Sequence, residues 1–521
     1  MRNTKHLTYR EHRFLHGHLN RVRHITLDPD GPGVVRIHLV PCHRPDRETP
    51  FTAILNGQDI LPLNVSWAIL LTNLIEALNP YTGKEIRPQD WEAIQAQAVS
   101  ATRKIYRKAE YAQIEGDLQA MLDCLCTVAR GGTPTLTIQP MQLAAYASRM
   151  VGPHRMDLMV SSMVKDGGWH QKCLHCYAAN QPLSAVPELD TDQWLAVIEK
   201  CRSAGVTQLT FTGGEPTLRH DLIKLVQAAQ WFVTRLNTNG RMLTSMMCKD
   251  LRAASLDAVQ ITFYSAEAEI HNQLVGVDGY NDTLNGIRNA LAADLNVSLN
   301  TPLCSLNRDY LSVVKLAHTL GIRYLTCSGL IPAGNADTAA SLAVRLTPAE
   351  LEETLRPAME YAAANGIEIS FTSPGWLPED TLRALGFTQI PSCGACLSNM
   401  AIAPDGTVLC MCAREVQLHA VVTCDRIDLH FFNGRDSHIL SPFLLVCALA
   451  RIISRSLRPR PCVCAVGPDL FFTGTMIPDW HFFDNRGTTQ TTGGKSGILH
   501  FFSKNEISVS FLFRSVQSCR K

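Results

Sequence analysis

The sequence predicts an α/β protein built on a partial (β/α)6-type TIM barrel, with an N-terminal α+β accessory domain and a small cysteine-rich C-terminal module. Two observations predict the barrel. Apolar, strand-like runs alternate with amphipathic segments from about residue 151 to 375. Several of these segments end in a glycine, where a helix cap is expected: Gly205, Gly321 and Gly366. Repeated strand–helix units imply parallel strands joined by right-handed crossovers, and a doubly wound open sheet is the alternative arrangement.

The chain divides into four segments of different character. Residues 1–150 contain strand-like runs and helical patterns and are predicted to form the accessory domain, and residues 151–375 are predicted to form the barrel. Residues 376–412 carry cysteines on both sides of a predicted hairpin with the turn sequence PDG. Residues 413–521 show repeated Phe pairs but no helix or strand period. We therefore predict an irregular tail, either out of frame or disordered.

The composition excludes some classes of protein. With 521 residues, of which 46% are hydrophobic and 18% charged, the chain can bury several cores. A net charge of +1 predicts no affinity for nucleic acid or membranes. No secretory signal is visible and no run is long enough to span a bilayer, so we expect a cytoplasmic protein. Its 18 cysteines are then predicted to be reduced, as buried small hydrophobes or metal ligands.

Two consecutive loops of the predicted barrel carry candidate ligands. Cys173 and Cys176, in "WHQKCLHCYAAN", follow the first strand, and loops after barrel strands lie at the active face. The pair alone is compatible with unligated thiols, a zinc knuckle or an iron–sulfur loop. The second strand runs into Gly213-Gly214-Glu215-Pro216, where glycines allow close backbone approach and a carboxylate is available to an ammonium group. This second loop favours the iron–sulfur interpretation.

The segment from about residue 150 to 412 resembles the radical S-adenosylmethionine (SAM) superfamily. The resemblance rests on "KCLHCY", "GGEP", "LNTNG", "VQITFYS" and "SGLIPAGN". In that superfamily three cysteines in a Cys-x3-Cys-x2-Cys loop hold a [4Fe–4S] cluster whose open iron binds SAM. The reduced cluster donates one electron to SAM, and the resulting 5′-deoxyadenosyl radical takes a hydrogen atom from the substrate.

The resemblance implies roles for individual residues. Cys173 and Cys176 would ligate the cluster. Seven residues would contact SAM: Tyr177 and Ile331 at the adenine, Gly213, Gly214 and Glu215 at the methionyl amine, and Ser265 and Asn300 at the ribose or carboxylate. For the polar residues at strand ends, satisfying nearby backbone groups is an open alternative. The substrate is unknown, so no general acid or base is assigned.

One ligand position departs from the superfamily pattern. Trp169 stands four residues before Cys173, where the superfamily has a cysteine. The loop also looks short, as if a cysteine-containing pair were missing after His170. A cluster held by two thiolates should be labile, unless His170 serves as the third ligand, since imidazole replaces thiolate in some iron–sulfur centres. We therefore expect impaired SAM cleavage.

The C-terminal cysteines resemble the start of a SPASM or twitch domain, which carries an auxiliary Fe–S cluster in enzymes that modify peptides and proteins. Four residues would be its ligands: Cys393, Cys396, Cys410 and Cys412. A zinc ribbon is the alternative for this spacing. The resemblance implies a peptide or protein substrate and a reductant such as flavodoxin or ferredoxin. Two other functions stay open: a catalytically dead barrel that acts as a binding protein, and a zinc-binding interaction protein.

Overall fold

A computed structural model describes most of residues 6–409 and three short strands beyond them. The described residues are 6–27, 35–42, 51–81, 86–136, 138, 141, 150–162, 171–176, 179, 186–331, 334–372, 376–388, 390–391, 399–409, 481–483, 497–502 and 508–513. Among the described helices, none combines the length and the apolar character that crossing a membrane requires.

The described N-terminal residues form an antiparallel four-stranded sheet covered by helices, as the α+β prediction requires. The strands pair in chain order and are β1 (Arg23–Leu27), β2 (Val35–Val40), β3 (Phe51–Leu55) and β4 (Asp59–Leu63). The helices are α1 (Tyr9–His18), α2 (Val65–Leu78), α3 (Pro88–Ile105) and α4 (Tyr111–Ala129). Helix α2 begins where the Asn64 side chain accepts a hydrogen bond from the Trp67 N–H at 2.8 Å. Its buried face contributes Ile69, Leu71 and Leu74 to a core separate from that of the barrel.

The barrel strands follow one another in space in the order of the chain. They are β5 (Arg155–Ser161), β6 (Gln208–Gly213), β7 (Val233–Thr238), β8 (Ala258–Thr262), β9 (Asn296–Pro302), β10 (Tyr324–Ser328) and β11 (Glu368–Phe371). All neighbouring pairs are parallel, from β5 to β11, without a reversal of strand order. This single direction of winding confirms the partial barrel and excludes the doubly wound sheet.

Helices cover the outer face of these strands. They are α5 (Thr191–Ser203), α6 (Leu222–Ala228), α7 (Ser245–Ala253), α8 (Ala268–Val275), α9 (Tyr280–Ala292), α10 (Tyr310–Thr319), α11 (Ala339–Ala343), α12 (Pro348–Ala364) and α13 (Glu379–Ala384). Outward strand residues such as Leu236, Val259 and Leu299 pack against them in one large core. The loops that leave the C-terminal strand ends are therefore free to form a site.

The predicted hairpin in the third segment joins the barrel sheet. Strands β12 (Asn399–Ile402) and β13 (Val408–Leu409) are antiparallel, and β12 lies parallel to β5. The turn uses Gly406 at φ 86°, and the Asp405 carboxylate accepts from the Thr407 N–H at 2.9 Å. Among the described residues, the barrel sheet thus contains eight parallel strands and one antiparallel edge strand.

The tail, predicted to be irregular, contains a three-stranded antiparallel sheet in its described part. Its strands are β14 (His481–Phe483), β15 (Gly497–Phe502) and β16 (Ser508–Phe513). Two of the four Phe pairs of the tail fall within the first two of these strands, at Phe482-Phe483 and Phe501-Phe502. The four segment boundaries and the origin of the tail stay predictions.

Candidate functional site

The cysteine loop is tied to the end of helix α8. The backbone N–H of Lys172 donates to Val275 O at 3.0 Å, and that of Leu174 donates to Leu274 O at 2.9 Å. Gly276 caps the helix at φ 69°, and a Cβ there would lie 2.6 Å from Lys172 O. The loop can therefore approach the helix closely only because residue 276 has no side chain.

We expect Gly276→Ala to lower the free energy of unfolding by about 1 to 3 kcal/mol more than Gly321→Ala. Gly321 has a similar φ of 76°, but no atom lies within 4 Å of a Cβ built there. The two variants therefore share the backbone strain, and only Gly276→Ala adds the contact with Lys172. Urea denaturation measures both losses, and equal losses would contradict the close approach.

Asn335 holds the other side of the cysteine loop. Its backbone N–H donates to Cys176 O at 3.0 Å, and its side-chain amide donates to Cys173 O at 3.1 Å. Ser341, in α11, donates to Leu174 O at 3.0 Å. Asn335 belongs to the quoted "SGLIPAGN" motif, but its spacing from the cysteines, 159 residues after Cys176, gives no sign of the contact. This residue was missed as part of the site.

Cys173 lies in a mainly apolar setting beside Tyr264. Its thiol donates to Gln171 Oε1 at 3.4 Å and also contacts the Tyr264 hydroxyl. Burial, followed by the neighbouring Cys176, raises the pKa of the Cys173 thiol to about 12. Burial also raises the pKa of Tyr264. A metal ion bound here would have to displace the thiol proton.

His175 lies between the two cysteines and is buried. Its ring meets the Tyr264 ring edge-on at 5.3 Å between centroids. Neither ring nitrogen has a hydrogen-bond partner, and burial lowers the pKa of His175 to about 4. The neutral imidazole thus acts as a packing group in this structure. His175 was missed as a residue of the site, and its position between the two cysteines was the signal that could have identified it.

The Gly-Gly-Glu loop folds against the end of β5. Gly213 has φ 131°, and a Cβ there would lie 2.3 Å from Ser161 O. The Gly214 N–H donates to that oxygen at 2.9 Å, and the Glu215 N–H donates to Ser161 Oγ at 3.1 Å. Gly213 therefore allows a close backbone approach to a neighbouring strand, and the predicted approach of both glycines to a ligand stays a prediction.

Glu215 is a buried carboxylate held by four hydrogen bonds. Its Oε1 accepts from the Thr217 N–H at 3.0 Å and from the Thr217 and Thr238 hydroxyls at 2.6 Å each. Its Oε2 accepts from the Asn239 N–H at 2.8 Å. Among the described residues, no Lys, Arg or His forms an ion pair with it. A fixed carboxylate without a cationic partner, with one oxygen accepting a single bond, fits an ammonium ligand.

The other residues predicted to contact SAM or a metal, apart from Ile331, either bond to neighbouring protein groups or lie outside the described part of the chain. Ser265 Oγ accepts from the Glu267 N–H at 3.0 Å, and Asn300 Oδ1 accepts from the Thr326 hydroxyl at 2.8 Å. Ile331 is half-buried just after β10. The predicted residues outside the described part of the chain are His170, Tyr177, Cys393, Cys396, Cys410 and Cys412. Their roles stay predictions.

The described donor set is too small for a [4Fe–4S] cluster. Cys173 and Cys176 supply two thiols, whereas the resemblance calls for three. Among the residues that the structure describes, no three His, Cys, Asp or Glu side chains converge as a ligand set. The Glu215 carboxylate could accept an ammonium group, and the described thiols are one fewer than the resemblance calls for.

Known proteins show similarities over the same region. The model of the Radical SAM superfamily matches residues 170–317. The AdoMet-dependent heme synthase of Methanosarcina barkeri is 29% identical over 256 residues, which are 44% of this chain and 72% of the relative. A probable GTP 3′,8-cyclase of Thermococcus kodakarensis is 31% identical over 131 residues, 25% of this chain and 42% of the relative.

Solved structures also show similarities. Streptococcus suis SuiB bound to S-adenosylmethionine aligns with a TM-score of 0.43 and 13% identity, over 70% of this chain and 80% of that one. Native anSMEcpe with bound AdoMet aligns with a TM-score of 0.40 and 17% identity, over 51% and 75%. The superfamily match spans strands β6 to β9, including the Gly-Gly-Glu loop, and begins at the cysteine loop. Residues 170–317 of this chain are therefore similar to the Radical SAM superfamily.

Proposed function

We propose that this chain binds SAM at Glu215 and is a radical SAM enzyme for a peptide or protein substrate, with a weakened cluster site. The buried Glu215 carboxylate carries the proposal. Four hydrogen bonds fix its position, and the described residues offer it no cation. Binding the methionyl ammonium of SAM would neutralise the carboxylate.

The peptide or protein substrate rests on the C-terminal cysteines. Cys393, Cys396, Cys410 and Cys412 are spaced as at the start of a SPASM or twitch domain, and such domains occur in radical SAM enzymes that modify peptides and proteins. An auxiliary Fe–S cluster at these cysteines and a reductant such as flavodoxin or ferredoxin are part of the same proposal.

The weakened cluster site rests on the donor count. Cys173 and Cys176 are two donors, and Trp169 occupies the position of the third. When bound, a [4Fe–4S] cluster supplies the electron that cleaves SAM. The chain's own residues bind the amine, at Glu215, and hold the cysteine loop in place through Asn335. We therefore propose that SAM binds normally and is cleaved slowly.

Anaerobic reconstitution with iron and sulfide tests the cluster. We expect the wild-type chain to hold iron below full occupancy and to form little 5′-deoxyadenosine with dithionite and SAM. Trp169→Cys, or insertion of a cysteine-containing pair after His170, should raise both the iron content and the product. Cys173→Ala should remove the iron of this site, whereas the control Cys248→Ala, buried in α7, should not.

The outcomes separate the alternatives. Full iron and rapid cleavage in the wild-type chain would mean that His170 completes the site, and would contradict the weakened cluster. Iron without product in every variant would indicate a dead barrel that acts as a binding protein. Zinc in place of iron would indicate a zinc-binding interaction protein.

The curated relative suggests a second substrate class. The Methanosarcina barkeri protein, 72% of which is matched here, is named a heme synthase. A tetrapyrrole is thus the second candidate, and adding heme precursors or peptides to the reconstituted chain would distinguish the two by which one is consumed.

A further inference from the structure

The inner face of the barrel is polar. In strands β7, β8 and β9, residues such as Leu236, Val259 and Leu299 point outward into the helix-covered core. Because side chains alternate along a strand, their neighbours point inward, and these include Arg235 and Gln260. Partly accessible polar residues therefore line the barrel interior, where packed barrels usually hold branched apolar side chains.

Inward-facing side chains form a hydrogen-bonded group across three strands. The Gln260 amide donates to the Thr326 hydroxyl at 3.1 Å, and that hydroxyl donates to Asn300 Oδ1 at 2.8 Å. These residues lie on β8, β10 and β9, so their contacts confirm that the three side chains share the inner face. Asn300, predicted to contact SAM, belongs to this group.

Other polar atoms of the inner face are buried without a hydrogen bond. Arg235 Nε and Ser298 Oγ have no partner among the described residues, and Asp157 Oδ1 has only the ion pair with Arg155 at 3.0 Å. The Arg235 guanidinium forms no hydrogen bond or ion pair with any described residue. Buried donors without partners are rare in folded proteins, and a guanidinium is the costliest of these groups to leave unpaired.

The register places Arg235 level with Asp157, two strands away. Arg235 pairs with Thr210 on β6, and Thr210 pairs with Asp157 on β5, so the three lie at one level of the barrel. On the other side Arg235 pairs with Ala258. The strand neighbours of Arg235 are thus the small residues Thr210 and Ala258, and Asp157 forms its ion pair with Arg155, at 3.0 Å, rather than with Arg235.

The N-terminal sheet closes the bottom of this interior. A Cβ on Gly57, in the β3–β4 turn, would lie 3.2 Å from side-chain atoms of Val233 and Asp257, at the starts of β7 and β8. The next residue, Gln58, has a buried Oε1 without a hydrogen-bond partner. The turn therefore covers the end of the barrel interior that lies opposite the Gly-Gly-Glu loop, and this interior is called the cup.

We propose that Arg235 binds a carboxylate group of the substrate inside this cup. The local charge favours a monoanion, because two arginines, Arg155 and Arg235, face one carboxylate, Asp157. Burial, followed by repulsion from Arg155, lowers the pKa of Arg235 to about 10, so the guanidinium stays charged at neutral pH. A carboxylate would supply the planar, two-oxygen acceptor that a guanidinium fork matches.

The inference deepens the proposed function, since the carboxylate belongs to the molecule that the SAM face would act on. Its test needs neither SAM nor a cluster, so the two fail separately. The probe is trifluoroacetate, observed by 19F NMR with the full chain at constant ionic strength. We expect line broadening that acetate reverses and that neutral acetamide does not.

Three variants examine the assignment. Arg235→Met, which keeps the length of the side chain, should weaken trifluoroacetate binding about tenfold, the value of a charge-assisted contact. The control Arg252→Met removes a surface cation that pairs with Asp294, and should leave binding unchanged. Asp157→Asn should strengthen binding, because it removes the competing carboxylate. Because Asp157→Asn should increase the affinity rather than lower it, this variant still tests the proposal if Arg235→Met folds poorly.

Several results would overturn the proposal. Absence of line broadening with the wild-type chain would show that Arg235 binds no carboxylate. Equal broadening with wild type and Arg235→Met would show that trifluoroacetate binds elsewhere. Displacement by phosphate at lower concentration than by acetate would show that the site prefers a phosphate, which contradicts the carboxylate.

Discussion

Replacing Asp257 by asparagine should lower the free energy of unfolding by about 3 to 5 kcal/mol. The carboxylate is fully buried between the barrel and the N-terminal sheet. It accepts hydrogen bonds from Arg36 Nε, from His38 Nε2 at 3.0 Å and from the Thr234 N–H at 2.8 Å. Asparagine would leave the Arg36 guanidinium buried without its counter-charge. Urea denaturation with an unchanged m-value measures the loss.

The matched control is Asp294→Asn, which breaks an exposed pair with Arg252 at 3.0 Å and should cost less than about 1 kcal/mol. The pH dependence gives a second check. Burial alone would raise the pKa of Asp257, but Arg36 and His38 lower it well below its usual value. The stability that the ionised group contributes is present above the unfolded pKa of about 3.9 and is lost as the pH falls below it. The wild-type advantage over Asp257→Asn should therefore shrink in acid, and a constant advantage would contradict the assignment.

Glu215→Gln should weaken SAM binding about 30-fold or more, the effect of losing one partner of a buried charge pair. The amide removes the negative charge that the ammonium would meet. It also places an N–H₂ group where either the two threonine hydroxyls or the Asn239 N–H now donates. Isothermal titration of the chain with SAM measures the affinity.

The control for Glu215 is Glu267→Gln, which removes an exposed carboxylate in the loop after β8 on the same face of the barrel. Its affinity for SAM should equal that of the wild type. Thr238→Val, which removes one donor to the Glu215 carboxylate, should lie between the two. Equal affinities for wild type and Glu215→Gln would remove this carboxylate from the SAM site.

The barrel could be predicted from the sequence because its signals are local. Apolar runs of strand length are separated by amphipathic helices, and Gly205 and Gly321 indeed follow α5 and α10 with positive φ. Helix α8 was missed, since its eight residues are short and carry no sustained apolar face in the sequence. The N-terminal helices α1 and α4 were missed as well, although Thr8 and Glu11 form a capping box at the start of α1.

The site was predicted less completely than the fold. Gly213 and Glu215 were found because a strand–turn–helix signal surrounds them. The Asn335 contact was missed, since it joins loops far apart in the chain. Arg235 was missed for another reason: "VTRLNT" does alternate, but only the assembled barrel shows that its polar face points inward. Contacts between distant loops and the direction of a polar face are properties of the tertiary structure.

The buried contact between Asp257 and the N-terminal sheet limits where this chain can be divided into fragments. The Asp257 carboxylate belongs to the barrel, and its partners Arg36 and His38 belong to β2 of the N-terminal sheet. A gene fusion or trimmed fragment that kept one side alone would lose this ion pair and would expose its remaining half to water. The β3–β4 turn would be lost from under the barrel in the same cut. In recombination, as in protein engineering, the N-terminal domain and the barrel should therefore be kept together. The sequence before the superfamily match supplies contacts that the barrel needs.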